Sequence, residues 1–263
     1  MDTTHVLGYI GALIVGLVLG LIGGGGSILT VPLLVYLLGY NPVVATAYSL
    51  FVVGTSSMVG TYQKFREGLV DFRVGLAFSF PSFMAVYLSR RYLVPFIPEQ
   101  IAVLDNFTIT KNMVIMVFFA MIMFLASFSM IKNGKEKDTL ETKQPYIKTF
   151  FQGLAIGTIT GIIGAGGGFL YVPALVIWAN IPMKKAVGTS LIIVTINSLI
   201  GFLGDVQTLT IDWFFLLVFT FIAIIGIILG VFLSQFISGN KLKKSFGYFV
   251  LLMAVYIIYK ELI

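Results

Sequence analysis

Ten apolar runs follow one another along the chain. They cover approximately residues 6–22, 27–38, 42–63, 72–94 and 111–131, then 148–163, 168–179, 183–204, 212–237 and 244–262. Most are near twenty residues, enough for a helix to cross a hydrocarbon layer about 30 Å thick. Between the fifth and sixth lies one strongly hydrophilic stretch, Lys132 to Lys148, containing Lys135, Glu136, Lys137, Asp138, Glu141 and Lys143. The pattern predicts an all-α polytopic membrane protein with a first repeat over 1–131, a cytoplasmic linker over 132–147 and a second repeat over 148–263.

The two halves are related in sequence. Leu21–Pro32 recurs 141 residues later as Ile162–Pro173, and eleven of the twenty positions from Gly16 match those from Gly157. At the same offset Ala45 matches Ala186, Ser49 matches Ser190, Ser57 matches Ser198, Gly60 matches Gly201 and Asp71 matches Asp212. Residues 95–110 have no counterpart of similar length and are expected to form an aqueous or interfacial excursion.

Each copy centres on a glycine run followed by proline. As one helix, residues 5–38 would be about 51 Å long, too long for a layer of about 30 Å. Polyglycine with Pro32 six residues after Gly26 also makes a poor helix interior. A helix–break–helix hairpin, entering and leaving on one side, is therefore expected in each half. Charge distribution agrees. Single crossings would divide Lys and Arg nine to eight, whereas hairpins place thirteen on one side and leave Arg90, Arg91, Lys111 and Lys260 opposite. The second division satisfies the positive-inside rule. A hairpin plus three crossings makes each half odd in crossing number, so the halves are expected to be inverted repeats, with both termini outside.

Composition narrows the chemistry. The 263 residues are 58% hydrophobic and 11% charged, against about 25% charged in soluble domains, and the mean hydropathy is +1.01. The net charge of +6 lies in breaks between apolar runs, where it reads as an orientation signal rather than a nucleic-acid footprint. With no Cys, disulfides, thiol catalysis and Cys-based metal sites are excluded. The amino terminus lacks the basic region of a cleaved signal peptide, so residues 6–22 are expected in the mature protein. No His–carboxylate, Ser–Lys or metal-ligand constellation stands at membrane depth. Neither an enzyme nor a cofactor or metal site is expected.

Paired broken helices are the sequence feature that points to a binding site in transporters. Helices starting near Ser27 and Gly168 would present unpaired N–H groups, equivalent to roughly half a positive charge each. Glycine lets an oxyanion approach the backbone. The candidate site thus comprises Gly23, Gly24, Gly25, Gly26 and Ser27 with Gly164, Ala165, Gly166, Gly167 and Gly168. Ala165 against Gly24, and Ser27 against Gly168, make the two breaks unequal. A second matched stripe runs Ala45, Ser49, Val52, Ser56, Gly60 and Ala186, Ser190, Ile193, Asn197, Gly201. Two readings stay open for it: Ser49, Ser56, Ser190 and Asn197 line the pathway, or they glue a small-residue packing seam. Gly8, Gly16, Gly20, Gly226 and Gly230 read as packing residues. Asp71 and Asp212 read as helix N-caps. Lys64, Arg66 and Glu67 are orientation signals or an anion-gathering entrance, and Asp205 is a weaker candidate for a proton-coupled group.

Two Gly-rich stretches ending in Val-Pro, each followed by an Ala…Ser-Leu helix, resemble the TauE/SafE family of bacterial sulfite and organosulfonate exporters. The likeness rests on Gly23 to Pro32 and Gly164 to Pro173 and covers nearly the whole chain. It implies export of sulfite, sulfoacetate or a related sulfur oxyanion across a bacterial plasma membrane, driven by the proton motive force. The expected partners are a small anionic substrate, a coupling proton and the lipid bilayer, with no nucleic acid; oligomeric state is not specified. A passive anion channel of the same fold, or an importer, is the alternative.

Overall fold

The computed structural model describes residues 3–104, 107–132, 146–163, 168–179, 181–207 and 209–262. Helix α1, Thr3–Ile22, stops at the glycine run, and α2, Gly25–Pro32, begins within it. A wide turn over Leu33–Leu37, with Leu38 N–H bonded to the Leu33 carbonyl five residues back, extends α2 past its proline. Then come α3, Pro42–Arg66, and α4, Phe72–Leu88, which runs on through a second wide turn, Ser89–Leu93, into the short α5, Val94–Phe96. Strands β1, Gln100–Leu104, and β2, Phe107–Thr110, pair antiparallel before α6, Lys111–Lys132. The second half comprises α7, Tyr146–Ile163, α8, Gly168–Ile177, α9, Met183–Asp205, α10, Trp213–Ser234, and α11, Gly239–Leu262. The linker expected over 132–147 falls almost wholly outside the described residues.

Among the described residues six helices are long and apolar enough to cross a membrane, three on each side of the linker: Pro42–Arg66, Phe72–Phe96, Lys111–Lys132, Met183–Asp205, Trp213–Ser234 and Gly239–Glu261. The helical class expected from the sequence holds. The exception is the β-hairpin, which occupies the unmatched insert; Ile101, Val103, Thr108, Ile109 and Thr110 are β-branched residues that favour strands. Phe214, Phe221, Phe232 and Phe236 on or beside α10 are all more than half exposed. So continuous an apolar face belongs against lipid rather than water.

The helix starts obey local rules. Asn41 caps α3 by accepting from Val43 N at 2.9 Å, with Pro42 in the first position. Asp71 and Asp212 cap α4 and α10, each accepting from the backbone N–H three residues on at 3.1 Å. The N–H of each capping Asp is satisfied from the other half: Asp71 N donates to Thr189 Oγ1 at 2.9 Å and Asp212 N donates to the Tyr48 hydroxyl at 2.7 Å. Residues 48 and 189 stand at the repeat offset, so the two contacts are counterparts.

Packing follows the same exchange. Helix α1 lies along α10 as α7 lies along α4; α3 packs on α9, α6 on α11 and α2 on α8. Helices α3 and α9 run antiparallel, because Leu50 meets Gly201, Leu199 meets Gly54 and Leu191 meets Gly60. Helices α1 and α10 run parallel, Gly16 facing Ala223 and Gly20 facing Gly230. Lipid supplies little apolar drive for helix association, so close backbone contact must supply it. A methyl at Gly16 would sit 1.9 Å from the Ala223 carbonyl oxygen, and one at Gly226 would sit 2.2 Å from that of Leu13.

Gly16→Val should therefore destabilise the protein by about 1–3 kcal/mol, the usual cost of overpacking, and lower its melting temperature in detergent. Gly75→Ala, where a methyl meets nothing nearer than 3.6 Å, should leave melting unchanged. Equal melting of both variants would refute the seam.

Candidate functional site

The first glycine break is a fold-back. Gly23 takes a φ of +79°, a left-handed conformation that glycine adopts without a Cβ penalty. Its N–H closes α1 on the Leu19 carbonyl at 2.7 Å. Helix α2 then returns along α1, Gly26 lying against Val15 and Leu19, Leu33 against Gly11 and Leu38 against Gly8. Gly25, Gly26 and Ser27 form the first turn of α2, the Ser27 side chain lying outside the described part. Thr30 Oγ1 donates to the Gly26 carbonyl at 2.8 Å.

The second break is described only from Gly168 onward; Gly164, Ala165, Gly166 and Gly167 lie outside the described residues. What is described brings the two breaks together. Gly24, the N-cap of α2, and Gly168, the first residue of α8, touch backbone to backbone. A methyl on Gly24 would lie 2.0 Å from the Gly168 carbonyl carbon, and one on Gly168 would lie 2.5 Å from the Gly24 Cα. The N-terminal ends of two helices from different halves thus meet in the interior. Their partial positive charges add there.

The members of the matched stripe divide. Ser190 binds the break itself: its hydroxyl lies 3.1 Å from the Gly23 carbonyl and 2.8 Å from that of Val187, so its one proton is engaged. Ser49, its counterpart, is fully buried and its hydroxyl makes no hydrogen bond. Ser56 is likewise buried without a partner, and so are the hydroxyls of Ser57 on α3 and Ser198 on α9. Leaving such a group unpaired costs about 1–3 kcal/mol, and a helical serine could avoid that by bonding back to its own helix. These buried hydroxyls do not take that option, which leaves them open to water or a polar ligand.

Asn197 anchors a network that sequence matching did not find. Its Nδ2 donates to Ser82 Oγ at 2.8 Å and to the Tyr171 hydroxyl at 2.6 Å. Ser82 and Tyr171 are themselves 2.5 Å apart, and Thr160 Oγ1 stands 3.4 Å from the Tyr171 hydroxyl. Asn197 Oδ1 is buried and unpaired. The network joins α4 of the first half to α7, α8 and α9 of the second. Repeat matching hides it because its members differ from their counterparts: Asn197 faces Ser56 across the offset, Tyr171 faces Thr30 and Ser82 faces Ala223. The signal was a mismatch, a polar residue opposite an apolar or smaller one.

The ends of the α3–α9 pair carry charge. At one end Arg90 Nε donates to both oxygens of Asp205, at 3.1 and 2.9 Å; Arg90 Nη2 also binds the same carboxylate and reaches Thr46 Oγ1 at 3.1 Å. At the other end Lys64 Nζ reaches Ser234 Oγ at 2.7 Å and Glu67 Oε2 at 2.9 Å, while Gln235 Nε2 donates to Glu67 Oε1 at 2.8 Å. Lys64 is only 3% exposed. It is a buried cation bridging the halves.

Broken helices meeting inside a bundle of apolar helices are the arrangement by which polytopic membrane transporters build a binding site. The chain belongs to the sulfite exporter TauE/SafE family, whose model matches residues 9–257. It is 29% identical over 255 residues to a probable membrane transporter protein of Xylella fastidiosa (strain 9a5c), covering 94% of this chain and 92% of that one. It is 29% identical over 234 residues to the probable membrane transporter protein YunE of Bacillus subtilis, covering 78% and 79%. To the probable membrane transporter protein MJ0441 of Methanocaldococcus jannaschii it is 26% identical over 201 residues, covering 73% and 70%. No solved structure matches it.

Tyr171→Phe removes the hydroxyl that Asn197, Ser82 and Thr160 share. It should destabilise the protein by about 1–3 kcal/mol, read as a lower melting temperature in detergent, whereas Tyr259→Phe on the exposed face of α11 should not. A Tyr171→Phe protein as stable as the parent would show that the network is not satisfied as described.

Proposed function

We propose that the protein is a secondary transporter that exports a small sulfur oxyanion, such as sulfite, sulfoacetate or a related organosulfonate, across the bacterial plasma membrane. The anion binds at the midplane between the two glycine breaks, and the proton motive force drives it. The supporting observation is the backbone contact of Gly24 with Gly168, which turns two helix N-termini toward one interior point. In this reading the halves are inverted repeats over 1–131 and 148–263, joined by a cytoplasmic linker, with both termini outside. The antiparallel run of the equivalent helices α3 and α9 supports the inversion. Backbone amides of both breaks bind the anion, and Ser49, Ser56, Ser190 and Asn197 donate to its oxygens as the pathway opens. Separation of the two glycines must precede binding, because no Cβ, let alone an oxyanion, fits between them here. The substrate class draws on the family's description and on the glycine geometry together.

In proteoliposomes the protein should move sulfite and sulfoacetate saturably, faster under an imposed pH gradient; conductance indifferent to that gradient would favour a passive channel. Gly24→Val, which presses on the Gly168 backbone as Gly16→Val presses on Ala223, should lower both melting temperature and flux, and normal flux would end the glycine-site reading. Because the chain has no cysteine, topology is directly readable: Asn41→Cys should label from outside and Lys184→Cys from inside. Labelling of both from one face would contradict the inverted arrangement.

A further inference from the structure

We infer that Arg90 and Asp205 form a proton-coupled anion site, in which the Asp205 carboxylate and the transported oxyanion take turns on one guanidinium. This inference rests on the transporter reading above but adds a site that the glycine breaks do not contain.

Four features of the pair carry it. First, both side chains are buried, at 3% and 6% exposure, so neither charge is screened by water. An uncompensated charge there would be costly, and the guanidinium must always hold an anion. Second, the carboxylate is gripped through Nε and Nη2 together, the fork geometry in which arginine also binds sulfur and phosphorus oxyanions. Third, Thr46 Oγ1 stands at 3.1 Å from Nη2 with its own proton given to the Val43 carbonyl at 2.8 Å. The guanidinium is thus oriented by α3 whether or not Asp205 holds it. Fourth, the pair joins the halves: Arg90 belongs to the wide turn after α4, Thr46 to the start of α3 and Asp205 to the end of α9. Described groups near Asp205 include Arg90 from that turn, Tyr87 of α4 beside Gly204, and the Leu209 N–H bonded to the Asp205 carbonyl at 3.1 Å.

The opposite end shows why this pair is singled out. Position 64 stands at the repeat offset from 205, and Lys64 takes its carboxylate from Glu67 of its own half, reaching the other half through the Ser234 hydroxyl. Only at the Arg90 end does a buried carboxylate of one half neutralise a buried cation of the other, among the described residues. The exchange balances as follows. A proton from water adds to the Asp205 carboxylate, giving the neutral acid; Arg90 keeps its charge and releases the acid; the oxyanion takes its place. Departure of the anion and loss of the proton from Asp205 reverse the step. One proton and one anion enter or leave together, which is symport: an inward proton gradient acting through this pair drives uptake, so the pair favours the importing alternative over proton-driven export.

The test is anion binding as a function of pH, by calorimetry on the purified protein with sulfoacetate, together with flux in proteoliposomes. In the unmodified protein affinity should rise as pH falls, by about tenfold per pH unit where one proton is linked. Asp205→Asn should bind with no such slope, and should catalyse anion-for-anion exchange while losing its response to a pH gradient. Because Asp205→Asn leaves a buried cation alone, the doubly substituted Arg90→Gln/Asp205→Asn protein provides a neutral pair; it should remain folded, bind sulfoacetate at least tenfold more weakly and show no pH slope. A preserved slope or gradient response in either variant overturns the inference while leaving the transporter reading intact. Absence of any binding or flux by the unmodified protein removes the transporter reading, and this one with it.

Discussion

A helix interrupted at membrane depth exposes amides and carbonyls that hydrocarbon cannot satisfy, and each must find protein, ligand or water. That constraint organises this molecule. The break after Ile22 is tolerable because Gly23 turns left-handed, the Ser190 hydroxyl reaches its carbonyl, and Gly24 is pressed against the other break at Gly168. Shielding both breaks requires helices on every side. Helices α3 and α9 line one flank. The α6–α11 pair lines another, where Met116, Phe119, Phe169, Phe246 and Val250 form one buried cluster with Ile28 and Val31 of α2.

Lipid offers no strong apolar drive for this assembly, which explains where the glycines outside the breaks lie. Gly16, Gly20, Gly226 and Gly230 knit α1 to α10, and Gly153, Gly157 and Gly161 knit α7 to α4. Each seam joins one half to the other. The first helix of each hairpin is thus held by the opposite half, and so are the capping aspartates, whose N–H groups bond to Thr189 and Tyr48. The halves are interleaved rather than docked. Relative movement must slide or rock whole seams, and the polar contacts at the two ends of the α3–α9 pair resist it.

Within this matched frame the polar residues are unequal. Asn197, Tyr171 and Ser82 stand where the other half has Ser56, Thr30 and Ala223, and Asp205 stands where it has Lys64. A frame of exchanged halves can hold two conformations of comparable energy. The difference between them then falls on the residues that break the match. In the transport reading, substrate contacts and coupling belong to these positions, and the matched glycines provide the common machinery.

The helical class, the three long spans in each half, the seam glycines and the capping roles of Asp71 and Asp212 were legible from the chain itself. They depend on length, periodicity and residue type within a few turns. The glycine break was legible too, since no membrane is thick enough for a straight helix through it. Four site residues, Gly164 to Gly167, remain an expectation outside the described part. What the linear pattern did not contain was partnership across the halves. Ser190 binds the other half's break, Asn197 binds Ser82 and Tyr171, and Arg90 finds Asp205 at a separation of 115 residues. Lys64, read as an orientation signal or part of an anion-gathering entrance, is buried and reaches Ser234 of the other half. Hydrophobic period tells which face of a helix avoids water, but the identity of the helix packed on that face depends on how all of them close around the breaks. Tertiary structure alone decided that.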